Sequence, residues 1–362
     1  MYSYDEIKHL HLEITSNCQA KCPQCARNYH GGVENPLLEI VDIDIDKFKE
    51  IVPVDFIKQL EAVSMCGNYG DPIINRDLIP IVEYIRQSDE TTKVDIHTNG
   101  SARTEEWWKE LAITLPENHQ VNFALDGLAD THHLYRIGTD FDKIIKNAKA
   151  FIDAGGKARW IFIKFKHNQH QVDAAKQLAE QLGFDSFFEK ETSRFIGDPW
   201  FDVLDKEGNV DYRLEGPTES KLVFVDRKTV ENYREIFKGA RVTCAVEQEK
   251  SIYIDAWGRL WPCCFTGAIP YIYVPQGQLG YAYREDAKKQ LLELVDNIGG
   301  LDFLKIENSS IREIVDSPGW QTEWDRGFDN NQPVCVRVCG EFDEPVLSQS
   351  KDQFIELEKF DE

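Results

Sequence analysis

Three cysteines near the start of the chain have the spacing of metal ligands. Cys18, Cys22 and Cys25 form a C-x3-C-x2-C pattern. A structural zinc ion takes four ligands, and only His30 could supply a fourth here, if the loop folded back on itself. Three soft thiolates instead suit a [4Fe–4S] cluster that keeps one iron open for an exchangeable ligand. The spacing therefore favours an iron–sulfur site, with structural zinc as the alternative.

The other cysteines lie mostly in the last third of the chain. They are Cys66, Cys244, Cys263, Cys264, Cys335 and Cys339. A hairpin pattern lies within this group, with a strand at residues 251–255, a turn at Gly258 and a returning segment at residues 259–264. Cys66 stands apart, and we expect it to be a core thiol because free cysteine packs as a small hydrophobic residue.

Composition and charge narrow the class of protein. A formal net charge of −22 over 362 residues argues against a nucleic-acid or membrane-surface partner, since both are anionic. No stretch approaches the ~20 apolar residues of a membrane span, and residues 1–12 lack the pattern of a signal peptide. We therefore expect a cytoplasmic protein, in which nine cysteines serve metal binding or catalysis rather than disulfides.

Alternating strands and helices must position the first three cysteines. The pattern predicts strands at residues 9–15, 62–67, 93–98, 120–125, 160–165 and 185–190. It predicts helices at residues 46–61 (broken around Pro53), 77–86, 105–115, 141–154 and 170–182. Strands separated by helices in this rhythm form parallel βαβ units. The three cysteines follow the first strand, at the sheet edge where α/β proteins place their active sites.

These segments together resemble the radical S-adenosylmethionine superfamily. Residues 69–72 (Tyr-Gly-Asp-Pro) resemble the family's Gly-Gly-Glu-Pro turn, residues 98–100 its Thr-Asn-Gly segment, and residues 126–127 the end of its Ser-Leu-Asp-Gly segment. The resemblance implies an α/β fold, a partial (β/α)6 barrel. It also implies that the cluster cleaves S-adenosylmethionine to a 5′-deoxyadenosyl radical, which abstracts a substrate hydrogen. The residues implied to bind S-adenosylmethionine are Asn68, Tyr69, Gly70, Asp71, Thr98, Asn99 and Asp126.

Some positions depart from the family pattern. Gln24 replaces an aromatic residue before the third cysteine, Asp71 replaces a longer Glu, and Ala124 replaces a Ser. Other polar residues near the strand ends are further candidates for the site. One of the cations near the strand ends could bind a carboxylate; they are Lys164, Lys166 and Arg194. Three histidines could approach the site, although packing or solvation is their simpler role: His97, His132 and His133.

The C-terminal cysteines resemble the auxiliary-cluster domains called SPASM and Twitch. Cys244, Gly258 and Cys263 match a cysteine, a hairpin glycine and a cysteine five positions later. Cys335 and Cys339 would complete four thiolates around one auxiliary [4Fe–4S] cluster. The spacing alone does not separate Cys263 from Cys264, and we choose Cys263. A closed zinc site made of the same four cysteines is the alternative.

The sequence therefore predicts a two-cluster radical enzyme. The expected parts are a barrel at residues 1–195, a bridging segment at 196–240, an auxiliary-cluster domain with a β-hairpin at 241–345 and an acidic tail at 346–362. The substrate would be a peptide, a sugar or another small metabolite, modified by oxidation or rearrangement. A flavodoxin- or ferredoxin-type protein would donate electrons. The rival hypothesis is a non-catalytic iron–sulfur electron carrier or a zinc-binding scaffold.

Overall fold

A parallel sheet forms the centre of the molecule. The computed structural model describes residues 1–192, 194–220, 225–329, 332–341 and 356–359. Six strands follow one another in the sheet in chain order: β1 His9–Leu12, β2 Ala62–Met65, β3 Lys93–Thr98, β4 His119–Ala124, β5 Ala158–Lys164 and β6 Ser186–Glu191. Neighbouring strands in this series are parallel. The predicted α/β partial barrel is therefore confirmed.

Later segments extend both edges of this sheet. Strands β7 (Trp200–Leu204) and β8 (Val210–Glu215) form a separate antiparallel hairpin. Strand β9 (Ser251–Ile254) adds to β1 in parallel, and β10 (Leu260–Trp261) adds to β9 in antiparallel. Strand β11 (Glu356–Lys359) is antiparallel to β6 at the other edge. The predicted acidic tail at 346–362 otherwise lies outside the described residues.

Helices connect the parallel strands as predicted, with shifts at their ends. The first six are α1 Ile45–Ile51, α2 Val54–Ile57, α3 Leu78–Ser88, α4 Glu105–Thr114, α5 Phe141–Asp153 and α6 Val172–Leu182. Pro53 separates α1 from α2 because proline lacks the N–H that a continuous helix needs. The Asp140 side chain caps α5, and α6 ends at Gly183, which has a left-handed φ of 87°.

The C-terminal part is more helical than the sequence indicated. It contains α7 Arg227–Glu231, α8 Tyr233–Phe237, α9 Ala245–Glu249, α10 Cys264–Ala268, α11 Tyr281–Ile298, α12 Ile311–Val315, α13 Pro318–Asp329 and α14 Pro333–Cys339. The sequence pattern predicts helices at residues 285–297 and 309–315, which match α11 and α12 approximately, but it does not predict α13 and α14. Among the described residues no helix is long and apolar enough to cross a membrane.

The two faces of the sheet differ in polarity because side chains alternate along each strand. Leu10, Leu12, Val63 and Met65 are fully buried in the helix-covered core, and each such side chain stabilises the fold by roughly 1.5–3 kcal/mol. The opposite face, which we call the inner face, carries polar side chains. On β1 to β3 these include His9, His11, Ser64, Lys93 and Asp95, which line a cavity shared with the C-terminal cysteines.

The β7–β8 hairpin lies against the first cysteine loop, although the sequence predicted only a bridge or insertion there. Val203 and Leu214 pack in one apolar cluster with Ala20, Cys22 and Phe165. The nitrogen of Leu204 donates to the carbonyl of His30 at 2.9 Å. The hairpin therefore gives the cysteine loop an apolar cover that the six-strand barrel does not provide.

Candidate active site

The three N-terminal thiols each contact a different one of the segments predicted to surround them. The Asn99 amide nitrogen is 3.6 Å from the Cys18 sulfur. An Nη atom of Arg136, which lies in the loop after Asp126, is 3.8 Å from the Cys22 sulfur. The Cys25 sulfur is 4.0 Å from the carbonyl oxygen of Asn68. The fold thus brings four segments that are distant in sequence to one edge of the sheet.

Asn99 links the cysteine loop to the turn at residues 67–72. Its backbone N–H donates to the Asp71 carboxylate at 2.7 Å, and its side chain donates to the same oxygen. Its amide oxygen accepts from Gln19 at 2.6 Å. Asp71 is fully buried, and its second oxygen accepts from the N–H of Ile73 at 3.2 Å. Burial raises the pKa of Asp71, while the hydrogen bonds from Asn99 oppose that rise.

Thr98 and Gly100 hold Asn99 in place from either side. The Thr98 hydroxyl accepts from the N–H of Gly100 at 3.0 Å. Gly100 has a φ of 71°, and a Cβ there would lie 2.8 Å from the Phe123 ring. Only glycine satisfies both conditions without strain. The Thr-Asn-Gly segment is therefore a structural support for Asn99 as well as a candidate binding element.

Arg136 is a buried cation that the sequence analysis missed. Its Nε donates to the Asp126 carboxylate at 2.5 Å, and the other Asp126 oxygen accepts from the N–H of Ile163 at 2.6 Å. Burial raises the pKa of the Cys22 thiol to about 11, and the positive charge of Arg136 opposes that rise. Asp126 thus acts on the cysteine loop through Arg136.

Glu13 is a second residue that the sequence analysis missed, and its carboxylate binds the backbone of the turn at residues 67–72. One oxygen accepts from the N–H groups of Tyr69 and Gly70 at 2.7 and 2.8 Å, and the other accepts from the Tyr253 hydroxyl at 2.5 Å. Burial raises the pKa of Glu13 to about 7. Glu13 lies two residues beyond His11, so the period-2 pattern of β1 was the signal that could have placed it on the inner face.

The side chains of the turn point toward the C-terminal part of the chain. Asn68 donates to the Cys264 carbonyl at 2.8 Å, and the Tyr69 hydroxyl donates to the Ala268 carbonyl at 2.7 Å. A Cβ on Gly70 would lie 1.8 Å from the Thr15 carbonyl oxygen, so this position accepts only glycine. The turn is therefore fixed between the first cysteine loop and helix α10.

The C-terminal cysteines line one cavity of about 660 Å³, together with inner-face residues of β1 to β3. Cys335 and Cys339 lie one turn apart on α14, and the N–H of Thr243 donates to the Cys339 carbonyl at 3.2 Å, which brings Cys244 close. Burial raises the pKa of Cys335, and the thiols of Cys263, Cys244 and Cys339 raise it further.

Cys264 also lines this cavity, but its electrostatic surroundings differ. Burial raises its pKa, and the neighbours Cys263, Cys66 and Glu13, in this order, add to the rise. Cys264 thus lies toward the barrel, whereas Cys263 lies toward the other three cysteines. Among the described residues, no three His, Cys, Asp or Glu side chains are placed to hold a single metal ion.

Other polar candidates are engaged elsewhere. Lys164 lies 2.6 Å from the Glu189 carboxylate, and Lys166 lies 2.7 Å from that of Glu215. The Nδ1 of His30 is 2.8 Å from the Asp202 carbonyl, and its ring stacks on Phe201. His132 contacts the Thr139 hydroxyl at 2.9 Å. Burial lowers the pKa of His97 to about 4, so this residue is a neutral group on the inner face.

Known proteins show sequence similarity to part of this chain. Relatives include the GTP 3′,8-cyclase of Mannheimia succiniciproducens, 26% identical over 154 residues, which are 41% of this chain and 42% of that protein. A cofactor-modifying protein for tungsten-containing aldehyde ferredoxin oxidoreductase from Pyrococcus furiosus is 28% identical over 193 residues, half of each chain. The matched region thus spans half or less of the length of these curated relatives.

Solved structures extend the likeness in fold to nearly the whole chain. Streptococcus suis SuiB bound to its precursor peptide SuiA has a TM-score of 0.52 at 14% identity, covering 96% of this chain and 76% of that one. The protein anSMEcpe with bound AdoMet and the Cp18Cys peptide has a TM-score of 0.51 at 14% identity, covering 94% and 92%. Residues 12–178 match the model of the Radical SAM superfamily. The match assigns a Radical SAM domain to residues 12–178 of this chain.

Proposed function

We propose that this protein is an enzyme that cleaves S-adenosylmethionine at a [4Fe–4S] cluster held by Cys18, Cys22 and Cys25. The observation that carries this proposal is the contact pattern of the three thiols. Each lies within 4.0 Å of a different predicted S-adenosylmethionine-binding segment or of the arginine that extends it. A loop that only bound metal would not need those neighbours.

The donor set fits an iron–sulfur cluster with an open iron. Three thiols share one short loop, and no fourth thiol belongs to it. His30, the fourth donor that zinc would require, contacts the β7–β8 hairpin instead. The apolar packing of Val203 and Leu214 around Cys22 would limit the access of water to the cluster. Soft thiolates in an apolar, partly covered pocket suit such a cluster.

When bound and reduced, the cluster supplies the electron that splits S-adenosylmethionine into methionine and a 5′-deoxyadenosyl radical. The chain's own residues orient the reactants. Arg136 places a positive charge beside the Cys22 thiolate, and Asp126 fixes its guanidinium. Both oxygens of Asp71 are already engaged, so we propose that Asp71 is a positioning residue for Asn99. Gly70 lets the turn backbone lie against the Thr15 carbonyl, because no side chain fits there.

A second cluster is proposed for Cys244, Cys263, Cys335 and Cys339. A tetrahedral zinc ion sits ~2.3 Å from each sulfur, whereas these thiols line one part of a cavity of about 660 Å³ that they share with the inner face of the sheet. Such a space suits a multi-iron cluster better than one ion. With four thiolates available, this cluster would relay electrons rather than coordinate substrate.

The substrate class and the redox partner belong to the same proposal. SuiB and anSMEcpe are described with bound peptides, which supports a peptide for this chain. The relatives matched in sequence are named for a nucleotide and for a cofactor, which supports a small molecule. The reaction would be an oxidation or a rearrangement after hydrogen abstraction. A flavodoxin- or ferredoxin-type protein would supply electrons.

Binding of S-adenosylmethionine separates the enzyme from its rival, an electron carrier or zinc scaffold. We would measure equilibrium binding of S-adenosylmethionine to anaerobically reconstituted protein and to the Cys22→Ala variant. The proposal predicts one bound molecule per chain in the wild type and loss of binding in the variant. An iron-loaded wild type that binds no S-adenosylmethionine would contradict it.

A further inference from the structure

Asn68 connects the two sets of cysteines. Its backbone carbonyl oxygen is 4.0 Å from the sulfur of Cys25 in the first set. Its side-chain amide donates to the carbonyl of Cys264 at 2.8 Å, and Cys264 directly follows Cys263 of the second set. The two sets are far apart in the chain, so a residue that contacts both segments is a physical link between the two proposed sites.

Two neighbours fix the direction in which the Asn68 amide points. Its nitrogen also donates to the Tyr253 hydroxyl at 3.1 Å, and that hydroxyl donates its own proton to the Glu13 carboxylate at 2.5 Å. The Tyr253 oxygen is therefore an acceptor for Asn68, so the nitrogen of the amide, and not its oxygen, faces both partners. Glu13 in turn accepts from two N–H groups of the turn at residues 67–72. This ring of hydrogen bonds holds the amide as a donor to the Cys264 carbonyl.

The carbonyl that Asn68 contacts belongs to the peptide group that joins Cys264 to Phe265. The N–H of this peptide lies in the first turn of α10, for which Cys263 is the N-cap residue. An N-cap side chain faces the free N–H groups of the first turn. Burial raises the pKa of the Cys263 thiol, and the backbone N–H groups of Thr266 and Phe265 oppose that rise. The Asn68 amide and the Cys263 sulfur thus lie at opposite ends of one peptide group.

A hydrogen bond at one end of a peptide group strengthens the hydrogen bond at its other end, because the two polarise each other. The bond from Asn68 to the carbonyl should therefore strengthen the donation of the Phe265 N–H to the Cys263 sulfur. Hydrogen bonds to the sulfurs help to set the reduction potential of an iron–sulfur cluster. The reduced cluster carries one more negative charge than the oxidised cluster, so stronger donors stabilise the reduced form and raise the potential.

We propose that Asn68 is a positioning residue that raises the reduction potential of the second cluster through the peptide between Cys264 and Phe265. This inference rests on the proposed function, since it requires the second cluster with Cys263 as a ligand. Because the donor belongs to the turn of the first site, the potential of the second cluster depends on the segment that is proposed to hold S-adenosylmethionine. A residue that only tied the two parts together would contribute to stability and leave the potential unchanged.

A redox titration of the second cluster alone tests this inference. The Cys22→Ala variant, reconstituted anaerobically, should keep only that cluster. Its visible absorption would be followed against potential at pH 8, above the pKa of about 7 that burial gives Glu13. Adding Asn68→Leu, which keeps the size of the side chain and removes its N–H donors, should lower the equilibrium constant for reduction about threefold, since neighbouring hydrogen bonds strengthen one another by only ~10–30%. That change lowers the potential by about 28 mV, at ~59 mV per tenfold change.

Two further variants in the same background are the controls. Asn35→Leu removes a buried asparagine whose amide donates to the carbonyls of Ala26 and Tyr271 at 2.9 and 2.7 Å. It also breaks a link to the C-terminal part of the chain, but away from the peptide that Asn68 contacts, so it should leave the potential unchanged. Thr266→Val removes the hydroxyl that lies 3.6 Å from the Cys263 sulfur, and it should lower the potential directly.

Each outcome bears on a separate claim. If Asn68→Leu does not retain iron, Tyr253→Phe takes its place, because it removes the hydroxyl that holds the Asn68 amide, and it should lower the potential by a smaller amount. The inference is overturned if the iron-loaded variant has the same potential as its parent, or if Asn35→Leu lowers the potential equally. A Cys22→Ala protein that holds no iron would contradict the second cluster of the proposed function itself, and this inference would fail with it.

Discussion

Arg136 joins Cys22 to Asp126. Its guanidinium is 3.8 Å from the Cys22 sulfur and 2.5 Å from the Asp126 carboxylate. Both the carboxylate and the thiol are buried. The positive charge of Arg136 therefore interacts with both Cys22 and Asp126. Replacing Arg136 by a neutral residue would leave the buried Asp126 carboxylate without a counter-charge.

Replacing Arg136 should destabilise the protein strongly. We expect Arg136→Met to lower the free energy of unfolding by about 3–5 kcal/mol, because breaking a buried ion pair leaves an uncompensated charge. Chemical denaturation of the iron-free protein measures this loss directly. Lys149→Met is the control, since Lys149 pairs with Asp153 on the surface, and its loss should stay below about 1 kcal/mol. Equal losses would mean that the Asp126–Arg136 pair contributes no more than a surface pair.

Glu13 should make stability fall as pH rises. Burial raises its pKa from 4.5 to about 7, so the folded state binds this proton more tightly than the unfolded state. The favourable contribution is complete below pH 4.5 and is lost as pH rises through about 7. Relative to Glu13→Gln, the wild type should lose about 3 kcal/mol of unfolding free energy across that interval, at 1.36 kcal/mol per pKa unit.

Denaturation curves of both proteins at pH 5 and pH 8 test the role of Glu13. Asp255, whose pKa burial raises to about 6, titrates in both proteins, so most of its effect cancels in the difference. Glutamine can still accept from Tyr69 and Gly70, which preserves the turn. A stability difference that does not change with pH would show that Glu13 has an ordinary pKa in the folded protein.

The two cysteine sets should hold iron independently. We expect Cys339→Ala to remove roughly half of the iron while keeping S-adenosylmethionine binding, because Cys339 contributes only to the C-terminal set in this proposal. Cys264→Ala should keep its full iron content, since the Cys264 carbonyl accepts from Asn68 of the barrel, and its thiol has Cys66 and Glu13 as neighbours besides Cys263. Iron analysis with visible absorption spectra measures both. A Cys264→Ala variant that loses as much iron as Cys339→Ala would exchange the roles of Cys263 and Cys264.

Gly70 should tolerate no side chain. A Cβ at this position would lie 1.8 Å from the Thr15 carbonyl oxygen, and backbone atoms cannot move aside cheaply. We expect Gly70→Ala to cost at least about 3 kcal/mol of stability and to abolish S-adenosylmethionine binding. Gly300→Ala is the matched control. A Cβ on Gly300 would meet no atom within 4 Å, so its left-handed φ of 86° is the sole feature there that disfavours a side chain. It should cost about 1–2 kcal/mol and leave binding intact, and similar behaviour of the two variants would refute the steric explanation.

Local patterns were sufficient to predict the barrel and the first cysteine loop. All six predicted strands are present in the parallel sheet, because period-2 apolar runs separated by amphipathic helices allow few other arrangements. The predicted segments at Asn68, Asn99 and Asp126 also lie around the thiols. These predictions depended on short segments whose chemistry is local.

Contacts between residues that are distant in the chain could not be predicted from the sequence. Glu13 and Arg136 look like ordinary charged residues until the fold buries them beside Gly70 and Cys22. Helix α14 was missed because Pro333–Cys339 is short and rich in β-branched valine, which favours strands. Its helical form depends on Pro333 at its start and on the Gln332 cap. Tertiary packing decided these cases, and local propensity did not.

The release of 5′-deoxyadenosine tests the central claim most directly. Anaerobically reconstituted protein would be incubated with dithionite and S-adenosylmethionine, with cell extract as a source of substrate, and the products would be quantified by chromatography. The account predicts 5′-deoxyadenosine from the wild type and none above background from Cys22→Ala. Iron-loaded wild-type protein that never forms 5′-deoxyadenosine under these conditions would contradict the assignment of Cys18, Cys22 and Cys25 as a radical-generating site.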